Sequence, residues 1–186
     1  MKELEWKSVL DRSRLEKIRV KLGDGGRSYI QINYYFDTPD GILARQNEML
    51  RVRQVGGKLL AQYKSRRGRE GSLMCCEESE VPLQTLPCIL NPSVLFLSAP
   101  ALNCVLLGNL VTVRTDFFRD GAVISLDESY YLGQEDFEIE IECPRRETVF
   151  ALARWLELEP NAAERGKYFR FRSAYGALTC NQIRSE

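Results

Sequence analysis

Charged residues at every second position, in both signs and in many short segments, constrain this chain more than any other feature. Near its start, Glu3-Leu4-Glu5-Trp6-Lys7 sets two carboxylates and an ammonium at alternate positions. In a strand, successive side chains point to opposite faces. Glu3, Glu5 and Lys7 therefore line one face, about 6–7 Å apart, and Leu4 and Trp6 line the other. One such segment has a plain explanation, a strand with a wet face and a buried face. The pattern recurs, however, in Arg51-Val52-Arg53, Gln62-Tyr63-Lys64, Glu78-Ser79-Glu80, Ser125-Leu126-Asp127 and Glu138-Ile139-Glu140-Ile141-Glu142. So many charged strands of matching parity predict a sheet that curls around a charged interior.

Composition narrows what such an interior can serve. The chain has 186 residues, most economically one domain over 1–186, and 44% of them are hydrophobic, enough for a real core. Lys plus Arg and Asp plus Glu each number 26. A zero net charge argues against a nucleic-acid or acidic-membrane partner, which needs an excess of one sign. The sequence opens without an apolar export segment and holds no 18-residue apolar run, so the expected setting is cytoplasmic, away from membranes. Six cysteines form no CxxC pair and read as buried thiols rather than disulfides. Histidine is absent. That excludes histidine general bases and histidine-bearing zinc sites, and leaves carboxylates as the metal ligands. Such ligands favour Mg²⁺ or Mn²⁺.

The order of elements follows from period and punctuation. Residues 2–7 read as a strand, and Ser8 or Asp11 can cap a helix carrying Leu15, Ile18 and Leu22, stopped by Gly23. A second strand, 28–37, ends at Thr38-Pro39-Asp40-Gly41, before a short helix through Leu43. Residues 48–55 and 58–65 flank Gly56-Gly57, a two-residue hairpin signal. Residues 66–71 read as a basic loop, 72–81 as a strand, and 82–109 as apolar helical material broken by Pro87, Pro92 and Pro100. Strands 110–118 and 122–130 meet at Asp120-Gly121, and another follows at 136–143. Pro144 can open a helix to about Glu157, and Asn161 can cap a last one through Tyr175. The expected fold class is α+β, an eight-stranded antiparallel β-barrel flanked by helices.

Taken at its parity, the interior holds the acids Glu3, Glu5, Glu78, Glu80, Asp127, Glu138 and Glu140 with the bases Lys7, Arg51, Arg53, Lys64 and Arg114. Asn33, Tyr35 and Asp37 share the parity of their strand. Buried charges are costly unless paired, so one reading is a structural ion-pair network. The functional reading is more economical. Arginine forks and ammoniums bind phosphate oxygens, and carboxylate clusters bind divalent cations that bridge phosphates. A ligand that is polyanionic and metal-bound uses both halves.

The same residues resemble a known family, the CYTH or triphosphate tunnel metalloenzyme superfamily. Glu3-Leu4-Glu5-Trp6-Lys7 fits its ExExK signature. Tyr35-Phe36-Asp37-Thr38-Pro39 is similar to its YFDTP segment, and Leu50-Arg51-Val52-Arg53 to its LRxR strand. Lys64, Glu78-Ser79-Glu80, Val113-Arg114, Leu126-Asp127 and Phe137-Glu138-Ile139-Glu140 follow in the family's order, and Arg165-Gly166-Lys167-Tyr168 is similar to its KSKY. Gly166 and Arg165 depart from that last motif.

The resemblance implies a tunnel that binds a triphosphate with one or two Mg²⁺ or Mn²⁺ ions. By position, Lys7, Arg51, Arg53, Lys64, Arg114, Arg165 and Lys167 would hold phosphate oxygens. Glu3, Glu5, Asp127, Glu138 and Glu140 would hold metal, with Glu142 ranked last on its strand. Glu78 and Glu80 would support them or place water, and Tyr35 with Lys64 matches an acid/base pair, unless Tyr35 merely packs. The implied activity is hydrolysis of a triphosphate, with inorganic tripolyphosphate first and thiamine triphosphate second. The rivals are a class IV adenylyl cyclase acting on ATP and a non-catalytic polyphosphate-binding module. Outward apolar faces admit a homodimer, although packing against helices accounts for them first.

Overall fold

The computed structural model describes residues 4–70, 73–158 and 166–183, with side chains for 5–65, 78–158 and 166–179. The strands are β1 (Leu4–Leu10), β2 (Arg27–Asp37), β3 (Glu48–Val55), β4 (Lys58–Glu70), β5 (Leu73–Leu83), β6 (Ile89–Leu90), β7 (Cys104–Arg119), β8 (Ala122–Tyr131) and β9 (Gln134–Cys143). The helices are α1 (Arg12–Leu22), α2 (Ile42–Arg45), α3 (Arg146–Trp155) and α4 (Lys167–Ile183). The strands join in one sheet in the order β1-β9-β8-β7-β2-β3-β4-β5, with β6 off this path beside β7. β1 and β5 end the order, and the expected antiparallel hairpins are all present. Among the described residues, no helix is long and apolar enough to cross a membrane.

The chain divides into two compact units. The first comprises Met1–Ile30 and Val111–Arg170. Its core lies on one face of β1, β9 and β8, where Phe137, Ile139, Ile141, Ile124 and Leu126 pack under Leu15 and Ile18 of α1 and Val149, Leu152 and Ala153 of α3. Asp11 caps α1 by accepting from the Arg14 amide at 2.7 Å. Ile139 and Ile141 are fully buried, each worth about 1.5–3 kcal/mol. A one-residue slip of β9 would exchange them for Glu138 and Glu140, so the apolar face fixes the register of the acidic one.

The second unit comprises Gln31–Leu110 and Phe171–Glu186. Phe36, Leu50, Val52, Ala61 and Tyr63 form the apolar face of β2, β3 and β4, covered by Leu43, Leu90, Phe96 and Cys104. Asp37, fully buried, accepts from the Thr38 amide at 2.8 Å, Leu43 at 2.9 Å and Ala44 at 3.2 Å. It caps α2 instead of lining the polar face. Gly41 there has φ of 74°, and a Cβ on it would meet Arg172 Nη2 at 2.6 Å.

Several sequence expectations need correcting. β1 runs on to Leu10 because Ser8, Val9 and Leu10 continue the ladder with Ile139, Glu138 and Phe137. Residues 66–70 are strand, not loop; the ladder with β5 persists through a register shift between Arg66 and Gly68. Residues 82–109 hold no helix longer than the 3-10 turn Pro92–Val94, and β7 starts at Cys104. Their prolines remove amide donors and break the helical pattern. α4 continues through Gly176 to Ile183, while Asn161 lies outside the described residues.

Candidate active site

In the first unit, the face of the sheet opposite the core is ionic. β1 and β9 set Glu5 across from Glu142 and Lys7 across from Glu140. β8 sets Asp127 across from Glu138 and Ser125 across from Glu140, and β7 sets Arg114 across from Asp127. The register alone therefore gathers alternating charges, and the first turn of α4 adds Lys167.

Each cation on this face is held by acids. Lys7 Nζ lies 2.8 Å from both Glu140 Oε1 and Glu5 Oε1. Arg114 forks onto Asp127, donating from Nε at 2.7 Å and from Nη2 at 2.6 Å, and reaches Glu140 Oε2 at 2.5 Å. Lys167 Nζ sits among three carboxylates, 2.5 Å from Glu138, 2.7 Å from Asp127 and 3.2 Å from Glu140. Asp127, Glu138 and Glu140 are themselves buried. Burial works against the charge on Glu140, but Lys167, Lys7 and Arg114 outweigh it and hold its carboxyl well below the usual range. Burial likewise opposes the Lys167 ammonium, and Glu140, Asp127 and Glu138 more than compensate, so its pKa rises.

Two carboxylate groups share Glu140. Ligand atoms of Asp127, Glu138 and Glu140 lie within 4.8 Å of one another, as do those of Glu5, Glu140 and Glu142. Glu138 Oε1 is buried and has no hydrogen-bond partner among the described residues. An orphaned carboxylate oxygen is costly, and here it borders an all-oxygen donor set. The residues therefore fit a hard divalent cation of the Mg²⁺ or Mn²⁺ kind.

The second unit carries its own polar array. Asn33 lies across from Arg53 and Tyr35 across from Arg51; Arg51 lies across from Gln62, and Gln62 and Lys64 across from Glu80 and Glu78. Arg51 donates from Nε to Gln62 at 2.7 Å, and Gln62 donates to Glu80 at 2.8 Å. Arg53 donates to Asn33 at 3.0 Å. Lys64 reaches Glu78 at 3.3 Å and Arg51 reaches it at 3.6 Å. The Lys64–Glu78 pair is more open to solvent than the Lys167 cluster: its side chains are 39% and 38% exposed, against 12% for Lys167. Tyr35 is fully buried, its ring 4.8 Å from that of Phe171.

The CYTH domain family matches residues 1–167. This chain belongs to the CYTH family. Over 152 residues it is 28% identical to YjbK of Bacillus subtilis strain 168, provisionally named a triphosphatase, covering 75% of this chain and 76% of that one. Among solved structures, a Bacillus halodurans protein provisionally described as an adenylate cyclase superposes with a TM-score of 0.71 at 24% identity, covering 91% of this chain and 96% of that one. HpAC1 of Hippeastrum, described as a provisional adenylyl cyclase with a dominant triphosphatase activity, gives 0.70 at 23% identity, covering 92% and 94%. At these identities the structural likenesses establish the fold.

Of the residues expected from the CYTH motifs, Glu5, Lys7, Arg114, Asp127, Glu138, Glu140 and Lys167 come together in the first unit. Arg51, Arg53, Lys64, Glu78 and Glu80 come together in the second. Glu3 and Arg165 lie outside the described residues. Sequence reasoning missed Arg170 of α4, which donates from Nε to Asp136 at 2.6 Å and from Nη2 to Glu138 at 2.9 Å. Its signal was present: Arg170 follows Lys167 at the three-residue spacing that puts two side chains on one helix face.

Proposed function

We propose that this chain hydrolyses a triphosphate with the help of a divalent cation, inorganic tripolyphosphate first and thiamine triphosphate second. One observation carries the reading. The first unit interleaves buried acids with lysine and arginine at contact distance, on the face of the sheet that is not needed for the core. A structural network alone would be replaceable by apolar residues at little cost, whereas a metal-bound polyanion uses both signs.

In this proposal Glu5, Asp127, Glu138 and Glu140, with Glu3, hold Mg²⁺ or Mn²⁺. The cation, when bound, neutralises charge on the phosphate oxygens. Lys7, Arg114 and Lys167 leave the carboxylates they now hold and bind phosphate oxygens instead. Arg51, Arg53 and Lys64 bind phosphate oxygens in their own array, where Gln62 and Asn33 orient the two guanidiniums. Cations of this kind stabilise the charge that builds up on a transferring phosphoryl and a leaving diphosphate. Burial of Tyr35 against Phe171 supports a packing role for it, so we assign proton handling and water placement to Lys64, Glu78 and Glu80. The dominant triphosphatase activity described for HpAC1 and the provisional name of YjbK favour hydrolysis over cyclisation.

Metal rescue tests the division of labour. Glu5→Gln and Glu140→Gln should lower turnover of tripolyphosphate and recover part of it as Mn²⁺ is raised. Arg53→Ala should lose turnover with no such recovery. Near-normal turnover in all three variants would sink the assignment.

A further inference from the structure

Among the described residues, Glu138 is held through one of its two carboxylate oxygens. Its Oε2 atom takes Lys167 at 2.5 Å and Arg170 Nη2 at 2.9 Å. Its Oε1 atom is buried, with no hydrogen-bond partner among the described residues. The carboxylate is thus turned so that one oxygen faces α4 and the other remains uncommitted. Arg170 is in turn fixed: its Nε donates to Asp136 Oδ2 at 2.6 Å. Asp136 accepts on the same oxygen from the Tyr131 hydroxyl, also at 2.6 Å. Asp136 and Glu138 stand two apart on β9 and so share a face, and Tyr131 comes from the β8 end of the same hairpin.

We infer that Arg170, braced by Asp136 and Tyr131, is a positioning residue that aims the free oxygen of Glu138 at the divalent cation. The inference rests on the reading of Glu138 as a cation ligand. It separates Arg170 from the arginines assigned to phosphate. A guanidinium with two of its nitrogens already held by acids, one of which is itself held by a tyrosine, is built to stay in place. Lys167, by contrast, spreads over three carboxylates with a flexible stem and can leave them for phosphate. Partners that orient a metal's ligands typically govern affinity for the metal by about 10–100-fold.

The test measures Mn²⁺ binding by electron paramagnetic resonance of the full chain, without triphosphate, in Glu138→Gln, Arg170→Gln, Arg170→Lys and Tyr131→Phe. Arg170→Gln should weaken Mn²⁺ by about 10–100-fold. Arg170→Lys should recover part of that loss, and Tyr131→Phe, which acts on the cation only through Asp136 and Arg170, should cost about 2–10-fold, part of the worth of one hydrogen bond to a charged group. At saturating Mn²⁺ the KM for tripolyphosphate should stay within about twofold of the parent, because a residue that makes no substrate contact leaves substrate binding unchanged. Unchanged Mn²⁺ affinity in Arg170→Gln and Tyr131→Phe, with a raised KM in the former, would overturn the inference and make Arg170 a phosphate ligand. Unchanged values for both quantities would leave it a structural ion pair and equally overturn it. Tyr131→Phe keeps the ring, so the test survives if Arg170→Gln does not fold. Glu138→Gln separates the two claims: unchanged Mn²⁺ binding there would defeat the metal reading itself, whatever Arg170 does.

Discussion

Replacing Lys167 with methionine should destabilise the metal-free protein and make it more responsive to metal. The side chain is 12% exposed and its ammonium touches Glu138, Asp127 and Glu140, which are 1%, 0% and 7% exposed. Methionine keeps the apolar stem but ends one atom short of the ammonium position and carries no charge. Arg114, Lys7 and Arg170 remain, but three buried carboxylates then share too little positive charge. Removing one partner of a buried pair costs about 3–5 kcal/mol. For a chain of this size that is a fall in Tm on the order of 6–20 °C. A divalent cation can occupy the position the ammonium vacates. At about a hundred times its Kd it adds back about 2.7 kcal/mol, more than in the parent, where it must first displace Lys167. The assay is a thermal melt of both proteins in EDTA and in graded Mn²⁺. A Tm in EDTA equal to that of the parent, or a Mn²⁺ gain no larger than the parent's, would refute the reasoning.

Three further outcomes follow from the same geometry. The folded pKa of Glu140 is held below its ordinary 4.5, chiefly by Lys167, Lys7 and Arg114 acting against burial, so its stabilisation is present above that value and is lost as pH falls through the folded value. Denaturant titrations should therefore show the advantage of the parent over Glu140→Gln constant from pH 7 down to about 5 and shrinking below 4.5. Burial, with Asp37 adding to it, pushes the Cys104 thiol up to about 11, while Cys88 is exposed; iodoacetamide at pH 8, mapped by mass spectrometry, should label Cys88 and reach Cys104 only in denaturant. Asp37→Ala should cost about 2–3 kcal/mol in urea unfolding, since it orphans the amides of Leu43 and Ala44.

The acidic half of the site was legible because β9 alternates from Asp136 to Cys143, through Glu138-Ile139-Glu140-Ile141, and the same pleat that buries the isoleucines exposes the acids to one face. The Gly56-Gly57 hairpin was legible for a similar reason, a local turn chemistry that fixes register. What escaped was set by tertiary partners. Parity put Asp37 on the polar face of β2, but its carboxylate turns to the open end of α2, where three amides need an acceptor. The residues after Leu83 read as helical from their apolar content, yet their prolines leave only short pieces beside β7. Arg66–Glu70 looked like a loop by charge and glycine, although the ladder with β5 satisfies their backbone across the bulge. Arg170 had a helical spacing from Lys167 to announce it, but its partner Asp136 lay outside every motif.

The central claim is metal-dependent hydrolysis of a triphosphate, and product analysis tests it most directly. Tripolyphosphate, thiamine triphosphate and ATP are each incubated with the purified protein in Mg²⁺ or Mn²⁺, with EDTA controls, and orthophosphate, diphosphate and cyclic AMP are measured. Orthophosphate released from tripolyphosphate, abolished by EDTA, with no cyclic AMP from ATP, is the predicted result. Cyclic AMP with diphosphate from ATP, or no product from any of the three, would contradict it.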